Sequence, residues 1–286
     1  MSLPTSLPQS LEDNGSRNLR NPGREDQPPV SAKEVFADIL HELARTQGFK
    51  ELVYTNIEPE HGALVCRFLE DCKHVEKSSC RLGYNTCTRT IRVVLMTTKL
   101  HDVHQRWVIN ASGHWLADGL LSEDEYDELS IGVGTTFRDF TGRYIGSVKQ
   151  PDLYMRAGGT APPAMIIESG WAESFPLLRA DKELWMIGKP LVEMVILLKW
   201  TRQARGRVKG DIEVWRRDGR GGLEVEEKAI FPEPSHPNDR IEFTKHQIYK
   251  SSATRTQNPT QILSLDLNKL RKMAEEVLVD QGKRPA

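Results

Sequence analysis

A chain of 286 residues, 38% of them hydrophobic, can bury one sizeable core, and one domain with tails is the natural expectation. Its net charge of −1 excludes a molecule that is basic throughout, so a polyanion would have to be met by a local patch. No apolar run approaches the ~20 residues of a bilayer span, no charged-then-apolar leader opens the chain, and the four cysteines (Cys66, Cys72, Cys80, Cys87) form no C-x-x-C pair. An intracellular protein of the cytoplasm or nucleus, with reduced thiols and no zinc, is expected.

Residues 1–30 mix Pro, Ser, Asn, Arg and Asp without periodicity and are expected to be a disordered tail. Ser31-Ala-Lys-Glu34 is a capping box, and Val35, Phe36, Ile39, Leu40 and Leu43 form an apolar helical face behind it. Gly48 supplies the stop, and His41 reads as a partly exposed passenger. A second helix is expected over residues 62–75 and a strand over 89–96. Leu100, Val103, Trp107 and Val108 then repeat at helical spacing. His101 and His104 lie one turn apart there, but with no third ligand nearby they read as a helix rim rather than a metal pair.

Ile131, Val133, Thr135 and Phe137 alternate as a strand, and residues 144–154 are expected to form the next one, with Asp152 at its far end. Gly158, Gly159, Pro162 and Pro163 then make a turn between Leu153-Tyr-Met-Arg156 and Ala164-Met-Ile-Ile-Glu168, which reads as a hairpin. With the loop centred on Thr160, Asp152 and Glu168 fall opposite each other, each eight residues away. Opposed Cβ atoms on an antiparallel pair are roughly 4.5–5.5 Å apart. Two carboxylates that close repel, so either one has a raised pKa or a cation sits between them. Ser174 and Pro176 open a helix carrying Leu177, Leu178, Leu184 and Trp185, and residues 192–198 are apolar enough for a strand buried on both faces.

The phrasing Pro151-Asp152, then Ile166-Ile-Glu168-Ser-Gly170-Trp-Ala-Glu-Ser174, then Asp181 and Trp185, then the run 192–200, resembles the PD-(D/E)XK nuclease superfamily. More narrowly, it is similar to uncharacterised fungal proteins related to the restriction-endonuclease branch. The close likeness runs from Lys149 to Trp215, with weaker echoes over 81–107 and 261–270. It implies an α/β fold over residues 31–280, a central mixed β-sheet flanked by helices, with the helix at 100–108 preceding the sheet. It also implies metal-dependent phosphodiester hydrolysis on DNA, with Mg2+ or Mn2+ held by Asp152 and Glu168. One departure matters. The family places a lysine two residues after the Glu, and here that position is Gly170; on the following helix Lys182 is the candidate to stand in for it. The alternative is a catalytically inactive nuclease-fold module that binds nucleic acid or protein, and a metal-binding structural protein is a third reading.

Asp181 shares the apolar stripe of its helix and is expected to be a structural ion-pair partner, and Lys149 and Arg156 are possible phosphate contacts. Glu173 suits a helix N-terminus. Lys199, Arg202, Arg205, Arg207 and Lys209 form a basic segment between two strands, with Arg216, Arg217 and Arg220 soon after; folded onto one side they would bind DNA phosphates, and otherwise they are a solvated hairpin tip. Strands are expected at 211–216 and 226–231, a loop at 232–239, a last helix capped by Asp266, and a frayed end at 281–286.

Overall fold

Ser31 decides where the first helix begins: its hydroxyl accepts the Glu34 N–H at 3.3 Å, and the Glu34 carboxylate accepts the Ser31 N–H at 2.9 Å. The computed structural model describes residues 31–286 except 77, 79, 96–97, 235–238, 250–255 and 257. The tail expected at 1–30 and part of the loop at 232–239 lie outside the described residues. From Ser31 the chain runs α1 (Ala32–Arg45), β1 (Lys50–Tyr54), α2 (Pro59–Glu70), α3 (Lys73–Glu76), β2 (Arg81–Asn85) and β3 (Thr90–Leu95). Then come α4 (Val103–Ala117), α5 (Glu123–Glu128), β4 (Leu129–Gly132), β5 (Val148–Lys149), β6 (Leu153–Ala157) and β7 (Met165–Trp171). The hairpin's return leads to α6 (Phe175–Gly188), β8 (Met194–Arg202), β9 (Arg207–Arg217) and β10 (Leu223–Phe231). The chain closes with β11 (Arg240–Thr244), α7 (Lys245–Tyr249), β12 (Ile262–Asp266), α8 (Leu267–Asp280) and β13 (Arg284–Pro285). No helix among the described residues is long and apolar enough to cross a membrane.

The fold is α/β, with a mixed sheet flanked by helices. Its main sheet has the order β10-β9-β8-β7-β6-β4, antiparallel along this path except between β7 and β8, the two strands joined through α6. A smaller antiparallel sheet, β1-β3-β2-β5, lies beside it with α1 and α2 on one face. Gly62 lets α2 lie on that sheet, since a Cβ there would meet the Tyr84 ring at 2.3 Å. Alternation divides the main sheet into two faces. Ile166, Val195 and Leu197 pack with Leu178, Leu184 and Trp185 of α6. Ile167, Ile196 and Leu198 pack on the other side, in a core shared with Trp107 and Trp115 of α4 and Leu270 of α8. Each of these side chains contributes about 1.5–3 kcal/mol by burial, and burial on both faces is why residues 192–198 are almost wholly apolar. Asp266 caps α8 as expected, its Oδ1 accepting the Asn268 N–H at 2.9 Å.

Three expected elements differ. Residues 144–154 do not form one strand: Gly146 turns the chain at φ 85°, β5 pairs with β2 in the small sheet, and only after Pro151, which has no N–H to give a ladder, does β6 enter the main sheet. The first strand of the hairpin sheet ends at Gly132, and Phe137 makes only an isolated bridge to Lys149. The end expected to fray instead forms β13, parallel to β9, with the Ala286 N–H donated to the Val208 carbonyl at 2.9 Å.

Candidate functional site

The hairpin register is the one its turn dictates: Leu153 opposes Ile167, Tyr154 opposes Ile166 and Met155 opposes Met165. One further step sets Asp152 against Glu168, and both are buried, at 4% and 1% exposure. Asp152 sits just before β6, and its Oδ2 accepts the Ser169 N–H at 2.8 Å, extending the ladder with a side chain. Glu168 faces α6, where its Oε1 accepts the Trp185 indole N–H at 2.8 Å.

An amine reaches the pair, but it is not Lys182. Lys149 Nζ lies 3.5 Å from Glu168 Oε2 and 2.6 Å from Asp181 Oδ2. Asp181 Oδ2 also accepts from Arg92 Nη1 at 3.0 Å, and Arg92 Nε donates to Glu51. Asp181 is therefore the ion-pair partner its place on an apolar stripe called for, and the chain of charges ties β1 and β3 to α6. Lys182 follows Asp181 by about 100° around the helix, so it points elsewhere: its ammonium lies 3.9 Å from the Trp215 ring centroid and 3.8 Å from Glu183. Nothing brings it to Asp152 or Glu168. Gly170 is tightly packed, since a Cβ there would meet Ser174 Oγ at 2.9 Å and Leu178 Cδ1 at 3.0 Å, so any side chain must push these neighbours aside.

On the other side of Asp152 stands His101, with Nε2 3.6 Å from Asp152 Oδ2 and Nδ1 2.9 Å from Asp102 Oδ1. His104 is wholly buried beside it, against the backbone of Asp152. Burial works against the charge of every group here, and the neighbours decide the outcome. Burial pushes Glu168 up to about 8, against the pull of Lys149 and with the help of Asp152 and Asp181. Burial opposes the Asp152 carboxylate too, but His101 and then His104 outweigh it and hold Asp152 below the usual range. For Lys149, burial is outweighed by Asp181 and Glu168, which keep it above the usual lysine range and charged at neutral pH.

The donor set is one that suits a hard divalent cation: opposed carboxylates, one of which retains a proton that a cation would displace. Among the described residues, the one group of three possible metal ligands with all ligand atoms within 4.8 Å of one another is elsewhere, at Asp38, His41 and Glu42 on α1. Its members are already engaged: Asp38 by the Tyr54 hydroxyl at 2.7 Å, His41 by Arg45 and Glu42 by Lys50.

The other expected residues are scattered. Arg156, at the far end of β6, donates to the Ala161 carbonyl at 3.1 Å. Lys199, Arg202, Arg205, Arg207 and Lys209 do cluster at the β8–β9 turn, whereas Arg216 pairs with Glu226 and Arg217 donates to the Val192 and Met186 carbonyls at the opposite end of β9. Sequence reasoning missed the roles of Arg92, Glu51 and His101. A signal existed for Arg92: a cation inside the run Thr90-Ile-Arg92-Val-Val-Leu95 must find a buried acid. No family model, curated protein or solved structure matches this chain.

Proposed function

We propose that this protein hydrolyses phosphodiester bonds in DNA with the help of Mg2+ or Mn2+, in the cytoplasm or nucleus, with Asp152 and Glu168 as the metal's protein ligands. The observation that carries the reading is the approach of Lys149 Nζ to Glu168 Oε2, at 3.5 Å, beside the opposed Asp152. When bound, the metal supplies Lewis acidity to a phosphoryl oxygen and lowers the pKa of a bound water. The chain's own side chains do the rest. Lys149 is charged, so it acts as a donor that orients water or a phosphate oxygen, not as a base. Asp181, braced by Arg92, aims Lys149, and the Trp185 indole fixes the Glu168 carboxylate. Lys149 thus occupies the role that Gly170 vacates.

One observation favours a second reading, an inert module of nuclease-like fold. Asp152, Glu168 and Lys149 are at most 4% exposed, and the charged ones already have partners, Asp152 in His101 and Lys149 in Asp181. The test is a single-turnover assay on linear, nicked, single-stranded and branched DNA with Mn2+. Cleavage that falls about 10²–10⁴-fold in Lys149→Met and disappears in Asp152→Asn and Glu168→Gln supports hydrolysis. Cleavage that survives Asp152→Asn rules the site out. A wild-type protein that is stabilised by metal, by about 2.7 kcal/mol at a hundredfold excess over Kd, yet cuts nothing is the inert module.

A further inference from the structure

At the end of the main sheet beyond Glu168, cations gather at the turn between β8 and β9. The turn from β8 to β9 passes through Arg205 and Gly206, both left-handed at φ 60° and 69°, and returns at Arg207. There β13 lies alongside, and its Arg284 is paired in register with Arg207. Like charges at directly paired strand positions are destabilising. A second like pair sits next to them: the Arg202 guanidinium is 4.5 Å from the centroid of the Trp171 ring, and Lys283 Nζ is 5.7 Å from the same centroid. Burial, and then the charge of Arg202, hold Lys283 below the usual lysine range. Lys209 at the same turn pairs with Asp211 at 2.9 Å, and Lys228 farther along the sheet pairs with Asp239 at 2.8 Å. Among the described residues, none of Arg202, Arg205, Arg207, Lys283 and Arg284 forms an ion pair. Two buried donors at the same rim, the Trp171 indole N–H and the Thr201 hydroxyl, also have no partner.

We propose that this rim seats the phosphodiester backbone of a nucleic acid, held by Arg202 with Lys283 and by Arg207 with Arg284. Two like-charged pairs without a carboxylate between them are what an incoming polyanion relieves, and guanidinium forks match phosphate oxygens. A protein partner would need an apolar anchor, but the aromatic residues here, Trp171 and Trp200, are themselves 4% and 1% exposed. The rim stands three residues beyond Glu168 on β7, about 10 Å along the strand, with the Trp171 ring on the face of the sheet away from α6. The choice of nucleic acid rests on the hydrolytic reading, and binding is therefore measured without metal so that the two can fail separately.

The experiment is fluorescence anisotropy with a labelled mixed-sequence duplex of about 20 base pairs in EDTA, from about 50 to 200 mM salt, a range over which phosphate neutralisation dominates the affinity. Wild type should bind with log Kd rising linearly in log salt. The double variants Arg202→Gln/Lys283→Gln and Arg207→Gln/Arg284→Gln should each lower that slope by about 2, roughly 0.9 for each phosphate no longer neutralised. Arg220→Gln, on the opposite turn, should leave it unchanged, and circular dichroism melts should show all variants folded. Unchanged slopes in both doubles, or no binding by wild type at the lowest salt, overturn the proposal. So does tighter binding of polyglutamate than of the duplex, which would make the partner an acidic protein. Binding with these slopes but no cleavage when Mn2+ is restored removes the hydrolytic reading and leaves the seat standing.

Discussion

Gly170→Ala adds one methyl group where the lysine of the resembled family would stand, and the structure sets its cost. The new Cβ would lie 2.9 Å from Ser174 Oγ and 3.0 Å from Leu178 Cδ1, against ordinary contacts of 3.4–4 Å, so the neighbours must yield by about half an ångström. Neither is free to do so. Ser174 Oγ donates to the Trp171 carbonyl at 3.0 Å, and Leu178 is fully buried in the core beneath α6. Overpacking of this kind costs about 1–3 kcal/mol. Replacing a strand glycine regains roughly 0.5–1 kcal/mol of backbone entropy. The expected net loss is therefore about 0–2.5 kcal/mol, centred near 1 kcal/mol. Urea unfolding at pH 7 measures it directly, and the melting temperature should fall by about 2–4 °C per kcal/mol. Leu178→Ala alone should cost about 2–5 kcal/mol. Combined with Gly170→Ala it should cost measurably less than the sum, because the methyl enters the space the leucine leaves. A more stable Gly170→Ala protein, or strict additivity in the double variant, would refute the packing argument and reopen position 170 to a lysine.

Arg92→Met should destabilise the protein by about 3–5 kcal/mol, because Glu51 and Asp181 would be left buried with one cation fewer; a loss below about 1 kcal/mol in urea would show that the charges rearrange. Glu168 keeps its proton to about pH 8 in the folded chain against an ordinary 4.5, so between those values the folded state binds the extra proton and this group's contribution to stability falls as pH rises. The slope is at most about 1.4 kcal/mol per pH unit, and Glu168→Gln, with nothing to titrate, should give a flatter stability curve from pH 5 to 8; parallel curves would show Glu168 ionised throughout. Lys182→Ala should lose about 0.5–2 kcal/mol with its seat over Trp215, while leaving the metal-binding midpoint and any cleavage rate within about twofold; a hundredfold loss of cleavage in a folded variant would return Lys182 to the site.

Local chemistry was legible wherever one segment carried it. The Ser31 capping box, the Asp266 cap, the doubly buried β8 and the hairpin register that opposes Asp152 to Glu168 all follow from spacings within a few residues of one another. Nothing so local says which amine reaches the acids. Lys182 is close to them in sequence, yet a single residue's rotation on α6 turns it toward Trp215 and leaves Asp181 facing inward. Lys149 arrives because the chain around Gly146 and Pro151 leaves the small sheet and crosses to the main one, a switch that depends on β2 having an open edge. Arg92 and Glu51 join through strands far upstream of the hairpin, and Arg284 meets Arg207 only because β13 folds back on β9. The periods, the caps and the opposed acids are readable from residue spacing, since geometry along one strand, helix or hairpin sets them. Which cations stand beside those acids depends on strand pairing between segments far apart in the chain, and no local spacing carries that information.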